Sequence, residues 1–118
     1  MTEDARVLAG IYFSAWKAKD FDRLRSILAD DLSFVGPLAQ LTGAEACRQG
    51  IESLSRIVTD IVVHKTFVDG PDVLTWFDLH TTVAPPCATA NWSHVENGKI
   101  TAVRVTFDAR ALTAEPTK

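Results

Sequence analysis

The second half of the chain consists of short runs of β-branched and aromatic residues separated by strong turn signals, and this pattern constrains the fold more than any other feature. After Asp60 the runs are interrupted at 69–72 (Asp-Gly-Pro-Asp), at 85–86 (Pro-Pro) and at 97–98 (Asn-Gly). The Asn-Gly pair is the strongest signal, because both central positions of a type I′ turn require a positive φ. The pattern predicts four strands joined by connections of hairpin length.

The N-terminal stretch shows helical periodicity instead. From about residue 3 to residue 18, apolar side chains recur at spacings of one, three and four along a single helical stripe. This stripe consists of Val7, Leu8, Ile11, Tyr12, Ala15 and Trp16. A second, shorter helix is predicted to begin at the N-cap Asp20 and to end at Asp30-Asp31, because acidic side chains are unfavourable in a last helical turn. Its expected buried positions are Phe21, Leu24, Ile27 and Leu28.

A short strand and a third helix complete the first half of the chain. Residues 32–35 (Leu-Ser-Phe-Val) form an apolar run stopped by Gly-Pro at 36–37, which predicts a strand that ends in a turn. Residues 42–45 (Thr-Gly-Ala-Glu) have the spacing of a capping box and predict the start of a helix. Its expected buried stripe is Cys47, Ile51, Leu54 and Val58.

The order of these elements predicts the fold class. Helix, helix, strand, helix and then four strands is an α+β pattern, not the βαβ alternation of a dinucleotide-binding domain. A length of 118 residues is that of one domain, so we expect a single domain over residues 1–118. A curved antiparallel sheet with three N-terminal helices on its concave face would form a cone, and the open end of the cone is a natural pocket.

Charge and hydropathy make several classes of partner unexpected. The net charge is −3 and the basic residues are scattered, so the basic patch that nucleic-acid binding needs is absent. No apolar run approaches the roughly 20 residues that span a bilayer, and residues 2–4 are not basic as a signal peptide would be. We therefore expect a cytoplasmic protein that binds neither nucleic acid nor membrane.

Cysteine, glycine and histidine spacings give no support to a cofactor. Cys47 and Cys87 lie forty residues apart without a second pair, so free thiols are expected. The glycines fit neither the GxGxxG pattern nor the P-loop. The three histidines have no partner at zinc-site spacing within one helix, although ligands from separate strands stay possible. We expect no metal and no other cofactor.

Several short motifs, taken in order, resemble the SnoaL-like and ketosteroid isomerase-like branch of the nuclear transport factor 2-like superfamily. They are Tyr12 eight residues before Asp20, Leu28-Ala29-Asp30-Asp31, Gly36-Pro37, Thr42-Gly43-Ala44-Glu45, Arg48-Gln49-Gly50, and Asn91 seven residues before Gly98-Lys99-Ile100. The resemblance covers nearly the whole chain and implies the cystatin-like cone of that superfamily. Function varies widely on this fold, so the activity has to be judged from the site.

The resemblance also implies roles for three positions. Tyr12 matches the family's oxyanion tyrosine, and Asn91 stands where the family has a protonated acid that donates a hydrogen bond. A phenol and an amide N–H are both neutral donors at pH 7. The family's catalytic aspartate, however, corresponds to Gly36, which has no side chain with which to move a proton.

A replacement base is predicted from the hairpin around 85–86. If this turn is tight, His80 pairs opposite Asn91 and Asp78 opposite Ser93, and cross-strand partners share a face. Trp76, Asp78 and His80 would then point into the pocket, with His80 as the base and Asp78 as its partner. A single bulge would move all three to the convex face, so both placements stay open.

Aromatic residues suggest a ligand-binding wall and a partner surface. Trp16, Phe34, Trp76 and Phe107 are the candidate substrate-binding residues, with plain core packing as the alternative. Trp92 and His94 alternate away from Asn91 and are expected on the convex face, through which the resemblance implies a homodimer.

Two functions are therefore open as hypotheses. The first is an isomerase- or cyclase-like enzyme in which Tyr12 and Asn91 polarise a hydrophobic carbonyl compound and His80 with Asp78 moves the proton. The second is a non-catalytic dimeric module that keeps the pocket for a small hydrophobic molecule after losing the base at Gly36.

Overall fold

The computed structural model describes residues 5–113, and the α+β order predicted from the sequence is confirmed in it. The elements are α1 Ala5–Ala18, α2 Phe21–Ser26, β1 Leu28–Val35, β2 Gln40–Thr42, α3 Ala44–Leu54, β3 Val58–Asp69, β4 Asp72–Thr81, β5 Cys87–Glu96, β6 Lys99–Thr106 and α4 Arg110–Thr113. The predicted helix start near residue 3 lies outside the described range. No helix within this range is long and apolar enough to cross a bilayer.

The six strands form one curved sheet in the order β2-β1-β6-β5-β4-β3. Four neighbouring pairs are antiparallel, as predicted, but β1 and β6 run parallel. The sheet is therefore mixed, and the expectation of a wholly antiparallel sheet was wrong for this one pair of strands. A parallel pair needs a long crossover, and here α3 and strands β3 to β5 separate β1 from β6 in the chain.

The first strand begins four residues earlier than predicted. The second helix ends at Ser26, and Leu28 is already paired with Ile100 of β6. Asp30 and Asp31 therefore lie within β1 and do not end a helix. Leu28 and Leu32 are buried while the two aspartates stay outside the core, so the strand satisfies both kinds of side chain.

The third helix is present, but the predicted capping box is not. Thr42 belongs to β2, a short strand that the sequence did not predict, and the N-cap is Gly43 with φ 99° and no side-chain cap. The Glu45 carboxylate instead accepts from the Arg48 guanidinium at 2.6 Å. Cys47 and Ile51 are buried as expected, but the helix ends at Leu54, so Val58, predicted in the same stripe, begins β3 instead.

Aromatic side chains of α1 hold this helix against the inner face of β4. The ring of Phe13 lies 5.0 Å from that of Phe77, and the ring of Trp16 lies 6.0 Å from it, both edge to face. Tyr12 is fully buried beside them. Edge-to-face pairs add about 0.5–1.5 kcal/mol each to the stabilisation from area burial. Val7, predicted within the stripe, is 46% exposed, because the buried face turns toward Ala9 and Phe13.

The tightest predicted turn is confirmed. Asn97 and Gly98 have φ values of 52° and 74°, as a type I′ turn between β5 and β6 requires. Asp20 also caps α2 as predicted, its carboxylate accepting from the Arg23 backbone N–H at 3.2 Å.

Two glycines make a matched pair for a stability test. A Cβ at Gly10, inside α1, or at Gly70, in the β3–β4 turn, would meet nothing within 4 Å, but Gly70 has φ 58°. We predict that Gly10→Ala raises the free energy of unfolding by about 0.5–1 kcal/mol through helix propensity. Gly70→Ala should lower it by about 1 kcal/mol through left-handed strain. Urea denaturation measures both, and shifts of the same sign would contradict this explanation.

Candidate functional site

An apolar cavity of about 160 Å³ lies between the helices and the inner face of the sheet. Elements α1 and α3 line it on one side, and β4 to β6 on the other, with the β1–β2 turn beside them. The lining residues are Tyr12, Trp16, Phe34, Gly36, Pro37, Leu38, Ala39, Leu41, Gly50, Ile51, Leu54, Phe77, Leu79, Thr89, Asn91, Val105 and Phe107. Most of these side chains are hydrocarbon, so a ligand that enters the cavity would leave water and contact apolar groups.

Five of the eight candidate site residues meet at this cavity. Tyr12 and Asn91 both line it, as the resemblance implied. Three of the four proposed substrate-binding aromatics line it as well, namely Trp16, Phe34 and Phe107. Their placement at the cavity results from their positions on α1, on β1 and just after the end of β6.

Trp76, Asp78 and His80 do not reach the cavity, and the predicted register that placed them there was wrong. Asn91 pairs with Thr75, five positions from the expected His80. The connection between β4 and β5 spans residues 82–86, longer than a tight turn about 85–86 allows. Because side chains alternate along a strand, an odd shift in register moves the whole set to the opposite face. Trp76 is accordingly 44% exposed.

The proposed base and its partner instead make contacts away from the cavity. The Asp78 carboxylate lies 3.0 Å from Nε2 of His64, which sits in a bulge of β3. His80 pairs with Asp60, whose pKa is lowered chiefly by the side chain of Lys17 and slightly by His80 itself. These groups therefore act away from the pocket, and His80 has no path to a ligand held beside Tyr12.

The polar centre of the cavity is Tyr12 together with Asn91. Both side chains are 1% exposed. Burial raises the pKa of the Tyr12 phenol well above its ordinary value, the Cys47 thiol raises it further, and the Asn91 side chain opposes the shift. Burial also raises the pKa of the Cys47 thiol, to about 12. Both acids are neutral at physiological pH, as they are in water, and the Tyr12 hydroxyl can donate a hydrogen bond.

Ser93 and Thr89 complete a polar row that sequence reasoning missed. The Ser93 hydroxyl donates to Oδ1 of Asn91 at 3.1 Å, and both groups are buried. The Thr89 hydroxyl donates to the Cys87 carbonyl at 3.0 Å. Strand alternation in 89–93 was the available signal, since it places these two residues on the same face as Asn91.

Trp16 is held rigidly in the wall. Its indole Nε1 donates to the Ser55 hydroxyl at 3.0 Å, and that hydroxyl donates to the Ile51 carbonyl at 2.8 Å. The polar atom of the indole is therefore satisfied away from the cavity, and a ligand would meet only its carbon atoms.

Gly36 lies at the cavity with room for a side chain. Its N–H donates to the Ala39 carbonyl at 2.9 Å and closes the β1–β2 turn. A Cβ built there would lie 3.4 Å from Cε1 of Phe34 and 3.6 Å from Cβ of Val105, which are ordinary contacts. The backbone at Gly36 therefore has room for a Cβ beside the cavity.

Among the described residues that line the cavity, Tyr12 is the one ionisable group. Its raised pKa leaves it unable to accept a proton near neutral pH. The lining thus offers neutral hydrogen-bond donors and apolar surface, and it offers no carboxylate or imidazole to a reacting carbon.

Comparison with known proteins agrees with this architecture. Residues 11–103 match the family model of the SnoaL-like domain. A comparison with curated proteins gives no match. Among solved structures, an NTF2-like protein of unknown function from Cytophaga hutchinsonii is 28% identical, with a TM-score of 0.84 over 95% of this chain and 96% of that one. A protein from Kribbella flavida is 30% identical, with a TM-score of 0.83 over 89% and 87% of the two chains.

A more distant structure extends the likeness of fold. A protein from Catenulispora acidiphila with a ketosteroid isomerase-like fold is 17% identical, with a TM-score of 0.75 over 97% of this chain and 92% of that one. At this identity the likeness concerns the arrangement of helices and strands alone.

The burial of Tyr12 makes its titration a direct test of the site, because it is the one tyrosine in the sequence. We predict that at about pH 11, above the ordinary tyrosine pKa of about 10, the folded protein shows no tyrosinate absorbance. Unfolding in urea at that pH should produce it. Because the folded pKa is raised, the stability that the neutral phenol contributes is complete below about pH 10 and is lost as the pH rises further.

Tyr12→Phe provides the control for this titration. The variant should lose that part of the alkaline decline in stability, which amounts to about 1.4 kcal/mol per pH unit for one proton. Tyrosinate that forms in the folded protein with a midpoint near the ordinary value would show that Tyr12 is accessible to water.

Proposed function

The chain belongs to the SnoaL-like domain family, and from this premise we propose that it is a binding protein for a compact apolar carbonyl compound. The observation that carries the proposal is an apolar cavity whose polar centre is the neutral pair Tyr12 and Asn91. A carbonyl oxygen accepts hydrogen bonds and carries no proton, so it matches a phenol that donates and is not ionised.

The volume of the cavity restricts the ligand to about one ring. Pockets for drug-sized molecules commonly occupy roughly 300–1,000 Å³. The cavity here has about 160 Å³, close to the roughly 150 Å³ of a cavity that holds benzene. A four-ring steroid does not fit in this space, so we infer a monocyclic or short-chain carbonyl compound.

The charge of the cavity favours binding over proton transfer. Isomerisation of an enone requires a base that removes a proton from carbon, and general bases usually have a pKa near the working pH. The described residues at the cavity supply no such group. Tyr12 and Asn91 would still stabilise negative charge on a carbonyl oxygen, which is half of an isomerase site. These two donors support the enzymatic alternative, but the base that it also needs is absent at Gly36.

A matched pair of ligands tests the proposed binding. We predict that a six-membered cyclic ketone binds more tightly than the hydrocarbon in which an exocyclic methylene replaces the oxygen. Tyr12→Phe should weaken ketone binding about three- to tenfold, the range expected for one hydrogen bond, and leave the hydrocarbon unaffected. Isothermal titration calorimetry measures both affinities. Equal affinity of the two ligands for the wild type would overturn the role of Tyr12.

The space at Gly36 allows the enzymatic alternative to be tested in the same fold. We predict that the wild type does not accelerate hydrogen–deuterium exchange at the α-carbon of the bound ketone, whereas Gly36→Asp does. The new carboxylate would begin at a Cβ in contact with Phe34 and Val105, within the cavity lining. Gly36→Asn, which has nearly the same size and no base, is the control. Hydrogen–deuterium exchange catalysed by the wild type would contradict this prediction and support the enzymatic alternative.

We also propose a homodimer formed through the convex face of the sheet. Phe67, Leu74 and Trp92 pair in one row across β3, β4 and β5, with exposures of 59%, 44% and 49%. Trp76, in the adjacent row, is 44% exposed. A contiguous patch of this kind on a water-exposed sheet is typical of an interface, and Trp and Phe are enriched in the buried centres of interfaces.

The proposed dimer is tested by a charge placed in the patch. Leu74→Glu should give a monomer in sedimentation velocity, because a carboxylate buried in the interface would have no partner. Val83→Glu is the control, since Val83 is also exposed, at 55%, but lies in the β4–β5 connection. A wild type that sediments as a monomer at high concentration would refute the dimer.

A further inference from the structure

We propose that the open groove between α1 and β3 is a second binding site, with a medium-chain alkyl carboxylate as its ligand. The groove has a volume of about 360 Å³, against about 160 Å³ for the cavity at Tyr12. Helix α1 separates the two spaces, because Tyr12 and Trp16 line the cavity whereas Phe13 lines the groove. The second site is therefore independent of the ketone binding proposed above.

The contacts of α1 give the order of residues along the groove. At one end the Lys17 ammonium pairs with the Asp60 carboxylate at 3.1 Å. Further along, the ring of Phe13 lies 5.0 Å from that of Phe77, whose cross-strand partner is Val63 on β3. The chain of α1 followed backward and the chain of β3 followed forward thus run side by side, and the groove lies between them.

The far end of the groove carries a cation and two hydroxyls. In the direction just described, α1 reaches Arg6, and β3 reaches Thr66, which pairs with Thr75 on β4. All three residues line the groove. A helix rises about 1.5 Å per residue, so the distance from Lys17 to Arg6 along α1 is about 16 Å. This length accommodates an extended alkyl chain together with its head group.

The hydroxyl of Thr75 is the observation that points to a ligand. Thr75 is 2% exposed, yet its hydroxyl has no hydrogen-bond partner within the described part of the chain. Every fully enclosed polar side-chain atom of the described residues does have a partner. The Thr75 oxygen is therefore not fully enclosed, and the groove is the open space that this residue lines. A buried hydroxyl without a protein partner is costly unless something else bonds to it.

The wall between the two ends is apolar. Ala9 and Phe13 line the groove from the helix, and Ile61 and Val63 line it from β3. Val63 is 45% exposed, so much of its hydrocarbon surface is left in water. An alkyl chain that lies along the groove would bury this surface, which is favourable.

The charge of the groove favours an anionic head group at the Arg6 end. Among the described residues that line it, none is acidic. At the other end, the carboxylate of Asp60 offsets the charge of Lys17. A guanidinium has five N–H donors, so Arg6 can bind a carboxylate in addition to another acceptor. The two oxygens of a carboxylate can also accept from the hydroxyls of Thr66 and Thr75.

Three probes test the proposed ligand class at neutral pH by isothermal titration calorimetry. Octanoate has both the chain and the charge, 1-octanol has the chain alone, and acetate has the charge alone. We expect octanoate to bind about tenfold or more tightly than 1-octanol, the range for hydrogen bonds to a charged group. Acetate should show no measurable binding. Equal affinities for octanoate and 1-octanol would overturn the role of the polar end.

Gly10→Leu tests the location by filling the groove. Gly10 lines the groove from α1, and a Cβ built there would meet nothing within 4 Å. Leucine is a good helix former, so the variant should be at least as stable as the wild type in urea. We expect it to lose octanoate binding and to bind the cyclic ketone as the wild type does. Octanoate binding that survives in this variant would place the ligand elsewhere and overturn the proposal.

Thr75→Val tests the buried hydroxyl, with Thr89→Val as the matched control. Thr89 is a buried threonine on the next strand, but its hydroxyl donates to the Cys87 carbonyl at 3.0 Å. We expect Thr75→Val to weaken octanoate binding about three- to tenfold without lowering the urea midpoint, because its hydroxyl makes no bond in the protein. Thr89→Val should lower the midpoint and leave octanoate binding unchanged. Unaltered octanoate affinity in Thr75→Val would refute the role of Thr75.

The second site and the ketone site fail in distinguishable ways. If the wild type binds no octanoate, the second site is wrong, and the ketone experiments are unaffected. If Tyr12→Phe weakens octanoate binding and Gly10→Leu does not, the carboxylate lies in the Tyr12 cavity and the second site is again wrong. If octanoate binds as expected and the ketone does not, the groove stands as a site and the proposed function falls.

Discussion

The packing of α1 against the inner face of β4 is the interaction on which the rest of the structure depends. Phe13 and Trp16 meet Phe77 edge to face, and these contacts set how far the helix stands from the sheet. A closer approach would close the cavity, and a looser one would let water reach the phenol of Tyr12. The hydrogen bond from Trp16 to Ser55 ties the same helix to the end of α3. Apolar contact thus keeps the phenol of Tyr12 out of water, and this burial is what raises its pKa.

Much of the fold could be predicted from the sequence, because local signals and global packing agree along most of the chain. The periodicity of α1 and the positive φ values at 97–98 are properties of short segments, and both are confirmed. The errors arose where tertiary pairing overrides a local preference. Asp30 and Asp31 resemble a helix end, yet β6 recruits Leu28 and extends β1 backward. The capping box failed similarly, because pairing with β1 takes Thr42 into β2.

Site residues could be predicted where their positions follow from a helix or from the family resemblance. They could not be predicted where their positions depend on strand register. Tyr12 and Asn91 line the cavity as implied, whereas His80 and Asp78 were assigned from an assumed tight turn. Side chains alternate between the two faces of a sheet, so an error of an odd number of residues in the pairing assigns every side chain of the strand to the wrong face. The hydrogen bond from Ser93 to Asn91 had no sequence signal beyond strand alternation, which places the two residues on one face.

The parallel pairing of β1 with β6 constrains the order in which the strands can join the sheet. The backbone of Ile100 donates to the carbonyl of Ile27, and the Lys99 ammonium donates to that of Ser26, across more than seventy residues of chain. β1 and β2 cannot join the rest of the sheet until β6, the last strand, lies between β1 and β5. Contacts so distant in sequence slow folding. On the ribosome, the wall that carries Phe34 and Gly36 would therefore close late, after the C-terminal strand has emerged.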